Sequence, residues 1–157
     1  MQTATVSELK RELHQRSPKE LIELCLTLAK FKKENKELLT YLLYEKSNEE
    51  GYIRGVKRIM DEMFDDINTH SYFYIKKAVR KILRATKRYI RYSKRKDTEV
   101  ELLLYFCEKM KAFSPSYRRN RVLTNLYDRQ IEAIRKKLPK LEEDLQYDYG
   151  EALKELE

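Results

Sequence analysis

A chain of 157 residues is long enough to bury one sizeable core and too short for two independent ones, so a single domain over 1–157 is expected. Three Gly, three Pro and two Cys beside abundant Leu, Lys, Glu and Arg exclude a disulfide-stapled or low-complexity chain and predict an all-α protein. The net charge of +8 is local: residues 67–96 contain no Asp or Glu, and Lys76, Lys77, Arg80, Lys81, Arg84, Lys87, Arg88, Arg91, Lys94, Arg95 and Lys96 carry the whole excess, leaving 23 basic against 26 acidic residues elsewhere.

Residues 1–13 lack the apolar run of a secretory signal, and no stretch approaches the ~18 apolar residues of a membrane span, so a cytoplasmic location is expected. Helix starts are marked by a hydroxyl with Glu three positions on, the reciprocal capping box: Thr5-Val6-Ser7-Glu8, Ser17-Pro18-Lys19-Glu20, Ser47-Asn48-Glu49-Glu50 and Thr98-Glu99-Val100-Glu101. Ser114-Pro115 marks a further start. The predicted helices are 6–15, 18–33, 36–46, 48–68, 72–94, 99–113, 116–137 and 140–156, and their short connections favour antiparallel neighbours. Cys25 and Cys107 sit among apolar neighbours, as reduced core thiols do.

The fourth predicted helix places Tyr52, Val56, Ile59, Met60, Met63, Phe64 and Ile67 on one face. Gly51 and Gly55, one turn apart at its start, read as room for a neighbouring helix to approach. On the fifth, Ile75, Val79, Ile82, Leu83, Thr86 and Ile90 fall within an arc of roughly 80°, and the cations spread over roughly 140° on the opposite side. A last stripe, Tyr127, Ile131, Ile134, Leu138, Leu141, Leu145, Tyr149, Leu153 and Leu156, keeps its phase across Pro139, which favours a kinked helix over two unrelated ones, with a sharp bend or a brief break near Lys136 to Pro139. That stripe could serve the chain's own core or a homodimer seam. Past Pro139 the surface turns acidic, with Glu142, Glu143, Asp144, Asp148, Glu151, Glu155 and Glu157 against Lys154.

The opening stretch, Leu9-Lys10-Arg11-Glu12-Leu13, then Ser17-Pro18-Lys19-Glu20-Leu21-Ile22-Glu23-Leu24 and Phe31-Lys32-Lys33-Glu34-Asn35-Lys36-Glu37-Leu38-Leu39, resembles the start of uncharacterised bacterial all-helical families, domains of unknown function. The resemblance covers about a quarter of the chain. It implies helices and carries no active residue.

Side chains along the fifth helix could neutralise about five to seven phosphates. Tyr74 and Tyr92 project near the border of the basic face, Tyr89 leans to the apolar side, and Phe73 alone points along the charges, so phosphate contact is favoured over base stacking. A second basic group, Arg118-Arg119-Asn120-Arg121, opens the seventh predicted helix and opposes its macrodipole. For metal or acid–base chemistry the best candidates are Asp61, Glu62, Asp65, Asp66 and His70, but no Glu-x-x-His occurs, and His14 is remote in sequence. No glycine cluster meets a strand as a nucleotide loop requires, and Cys25 and Cys107 on apolar faces are poor thiolates.

The expectation is therefore an all-α, single-domain antiparallel bundle of about seven to eight helices, with an acidic C-terminal segment at 140–157. A short HEAT-like stack is the alternative architecture. The expected function is non-catalytic binding through Lys77, Arg80, Lys81, Arg84, Lys87, Arg88 and Arg91 to nucleic-acid phosphates without base specificity, with no cofactor or metal. The alternative is a structural or adaptor role in which an acidic protein surface, or the acidic segment of a second copy, covers that face.

Overall fold

A computed structural model describes residues 1–157, which form eight α-helices and no strand. The chain divides into two compact units, Met1–Tyr44 and Glu45–Glu157. In the first unit only Ala29 and Tyr41 are buried and no core of its own forms.

The first unit holds α1 (Val6–His14), α2 (Pro18–Phe31) and α3 (Lys33–Thr40). Both predicted capping boxes are present: Thr5 Oγ1 accepts from the Glu8 N–H and Ser17 Oγ from the Glu20 N–H, while each Glu side chain reaches back to its cap. Extended Lys32 breaks the helix between α2 and α3, and Asn35 Nδ2 donates to the Leu28 carbonyl at 2.7 Å, satisfying an acceptor left open at the end of α2. After α3 the chain continues as a π-helical turn, Tyr41–Glu45.

The second unit is a five-helix bundle of α4 (Glu49–Asp65), α5 (Tyr72–Ser93), α6 (Lys96–Ala112), α7 (Arg121–Lys137) and α8 (Glu143–Leu156). Its centre is α6. Val100, Leu102, Leu103, Leu104, Phe106, Cys107 and Met110 are buried over an arc of roughly 200°, more than one neighbour can cover, and α4, α5, α7 and α8 all pack against this helix, while Glu108 on its remaining side is exposed. The unit is thus a bundle centred on one helix that contacts the other four.

Directions follow from the cross-links. The Tyr52 hydroxyl donates to the Tyr89 carbonyl, setting α4 antiparallel to α5. Tyr72, at the start of α5, donates to the Ser116 carbonyl just beyond α6, so these two are antiparallel too. Lys57–Glu101 at 2.8 Å and Lys109–Asp61 at 3.0 Å run α4 alongside α6 in the same sense.

Several sequence expectations change here. Thr98 is not a cap: α6 begins at Lys96, and the buried Thr98 hydroxyl donates at 2.7 Å to Glu49, which also accepts from Ser93. Asn48, not Ser47, caps α4 by accepting from the Gly51 N–H, and it is Asn48 that a Cβ at Gly51 would strike. A Cβ at Gly55 would meet nothing within 4 Å, so no helix approaches there. Ser114-Pro115 starts no α-helix; after a 3-10 turn, Tyr117–Arg119, Asn120 Oδ1 accepts from Val122 and Leu123 to open α7.

The chain across Pro139 is not a kinked helix but a reversal. A 3-10 turn, Leu138–Lys140, leads through extended Leu141 into α8, which folds back on α7 until the Tyr127 hydroxyl reaches the Leu156 carbonyl at 2.7 Å. The stripe thus closes on itself within the chain's own core. Cys25 is exposed and only Cys107 is a core thiol, its pKa pushed up to about 12 by burial and then by Glu108.

Phe106→Ala at the centre of α6 should cost about 3–5 kcal/mol in urea denaturation, whereas Ile59→Ala, which periodicity places on the core face of α4 but which is 36% exposed, should cost under about 1 kcal/mol. In a Cys25→Ser variant no thiol should react with a disulfide reagent in native buffer, and one should react in guanidinium.

Candidate nucleic-acid interface

Helix α5 is held by its apolar stripe. Ile75, Val79, Ile82, Leu83, Ala85, Thr86 and Ile90 are buried, and the Thr86 hydroxyl returns its hydrogen bond to the Ile82 carbonyl. With that side turned to α4 and α6, the opposite side faces solvent. Lys77, Arg80, Lys81, Arg84, Lys87 and Arg91 are all exposed, and none has a carboxylate within 4.0 Å. Arg88 is half-buried, with its guanidinium 5.1 Å from the centroid of the Tyr89 ring.

Charges elsewhere in the bundle are used differently. Lys57, Lys109 and Lys137 pair between helices with Glu101, Asp61 and Glu99, and Tyr149 adds a 3.0 Å hydrogen bond to Glu101. Arg95 makes a two-point contact with Asp97, holding that carboxyl below its ordinary range. Within the acidic segment, Glu151 pairs with Lys154 and Glu157 with Arg135, and no carboxylate of 142–157 reaches the cations on α5.

From Lys77 to Arg91 the face runs roughly 21 Å along the helix axis, enough for about six phosphates at the 3.4 Å spacing of one strand. At its far end the helix closes on Lys94, which adopts the left-handed conformation (φ 61°) that usually takes Gly. Its N–H still bonds the Ile90 carbonyl. Beyond it the exposed Lys96 extends the positive surface.

The second basic group, Arg118, Arg119 and Arg121, is exposed, and Arg118 lies against Tyr117 and near Asp128. At the near end of α5, Phe73 and Tyr74 stand as an exposed edge-to-face pair, centroids 5.3 Å apart. Tyr92, expected at the border of the face, is instead buried against Tyr89.

The acidic candidates do not converge. Asp61 accepts from Tyr105 at 2.6 Å and pairs with Lys109; burial opposes its charge, but those two partners outweigh burial and lower its pKa. Tyr105 is pushed up to about 12, by burial first and then by Asp61. Glu62, Asp65, Asp66 and His70 are exposed, and no group of three or more His, Cys, Asp or Glu is placed to hold a metal ion. No helix is long and apolar enough to cross a membrane. No protein-family model, no curated protein and no solved structure matches the chain.

Lys94→Gly should stabilise the bundle by about 0.5–1 kcal/mol in urea denaturation, the relief of left-handed strain exceeding the added freedom of the unfolded chain.

Proposed function

We propose that the chain is a non-catalytic binding module whose α5 face, Lys77, Arg80, Lys81, Arg84, Lys87, Arg88 and Arg91, engages the phosphate backbone of nucleic acid without reading base sequence. One observation carries the reading. Lys57, Lys109 and Lys137 pair with carboxylates between helices, yet Lys77, Arg80, Lys81, Arg84, Lys87 and Arg91 stand in solvent with no carboxylate within 4.0 Å. Such a row concentrates positive potential and gains by releasing the counterions condensed on a polyanion.

Phosphate contact fits the face better than base recognition does. No exposed aromatic ring lies among the cations along its length: the ring beside Arg88, Tyr89, is half-buried, and the exposed rings, Phe73 and Tyr74, sit at one end. The acidic segment of the same chain spends its paired carboxylates on Lys154 and Arg135, which leaves the α5 face open to an external anion. An acidic protein surface is the competing partner, and the salt response together with the choice of ligand tells the two apart.

Fluorescence anisotropy with labelled duplex DNA and single-stranded RNA at about 50 and 200 mM salt tests the reading. Affinity should fall about a thousandfold between the two salts, with little dependence on sequence. A variant with Lys81, Arg84, Lys87 and Arg91 changed to Glu should lose binding while keeping its helical circular dichroism, because these side chains are exposed and unpaired. No binding to either nucleic acid at the lower salt would overturn the proposal and point to an acidic protein.

A further inference from the structure

Phosphate contact gives no role to the aromatic pair at the start of α5. On a helical projection Phe73 falls within about 20° of Arg80, Arg84 and Arg91, so its ring stands in line with the middle of the cation row. Phe73 is 66% exposed and Tyr74 44%, and the two rings pack edge to face with centroids 5.3 Å apart. Each holds the other in place, so little side-chain freedom is left to lose when a third ring arrives.

Charge ends where the rings begin. Residues 67–75 carry no Lys, Arg, Asp or Glu, and Asp65 and Asp66 precede them at the end of α4. A phosphate laid over this end of α5 would find no cation in that stretch, whereas an uncharged planar group finds an open aromatic face. Phe73 lies about 6 Å along the axis from Lys77, within two nucleotide steps at the 3.4 Å spacing of one strand.

We propose that the nucleic acid held by α5 carries an unpaired base, which stacks on Phe73 while its strand continues over Lys77, Arg80 and Arg84. The assignment rests on the phosphate contact proposed above and narrows its ligand. Away from its ends a duplex covers both faces of every base, so a single strand or an overhang is what offers a face to the ring. Stacking accepts any base, since each has a π face, and so adds affinity without sequence recognition.

Filter binding at about 50 mM salt with two single strands of equal length, an oligothymidylate and an abasic oligonucleotide, tests this assignment, because the two share their phosphates and differ in their bases. The wild type should bind the oligothymidylate about ten- to a hundredfold tighter, the worth of one stacked base. Phe73→Ala should bind both strands alike with unchanged helicity, because the residue is exposed. Phe73→Trp should keep the preference, and its indole, in a chain with no other, should be quenched by the oligothymidylate and not by the abasic strand. Equal wild-type affinity for the two strands, or a preference that survives Phe73→Ala, would overturn the stacking and leave the phosphate contact standing. Failure of either strand to bind at all would overturn both.

Discussion

The constraint on which the second unit depends is that α6 buries a broad apolar arc. Val100, Leu102, Leu103, Leu104, Phe106, Cys107 and Met110 span roughly 200° of it, more than one neighbour can cover, so four helices pack against it while Glu108 on the remaining side faces solvent. Each of those four then needs only one apolar stripe, and its other side faces water. The exposure of the α5 cations is thus a consequence of core packing. Because Ile75, Val79, Ile82, Leu83 and Ile90 must meet the core, Lys81, Arg84 and Lys87 must point away from it.

Polar contacts fix how the wrapping helices are placed. Glu49 gathers the Ser93 and Thr98 hydroxyls, tying the start of α4 to the end of α5 and the start of α6 at one corner. Glu101 joins Lys57 of α4 and Tyr149 of α8, and Glu99 joins Lys137 of α7. Half-buried pairs of this kind add modestly to stability and strongly to register, because a shifted helix would leave a carboxylate unpaired. Lys77, Arg80, Lys81, Arg84, Lys87 and Arg91 of the basic helix take no part in this pattern, and that asymmetry underlies the functional reading.

Much of the fold was legible in local chemistry. The boxes at Thr5 and Ser17, the stripe on α5 and the interruption at Pro139 are set by residues within a turn or two of each other. What sequence reasoning missed involves distant residues. Thr98 followed by Glu101 has the form of a capping box, but Glu49, 49 positions away, recruits the hydroxyl. The stripe through Pro139 keeps its phase because the chain re-enters a helix at Glu143, and phase alone cannot tell a kink from a reversal. The basic face itself was readable from charge and period. Cys25 and its leucine neighbours were misread because apolar periodicity reports that a face wants cover, not that the chain supplies it.

The claim at the centre of this account is that core packing on one side of α5 turns its cations into a binding surface on the other. Amide chemical-shift mapping of the protein titrated with a short DNA duplex tests it directly. Shifts should group at Lys77, Arg80, Lys81, Arg84, Lys87 and Arg91, with the core amides of α6 unmoved. Shifts centred on another helix, or none at all at low salt, would contradict it.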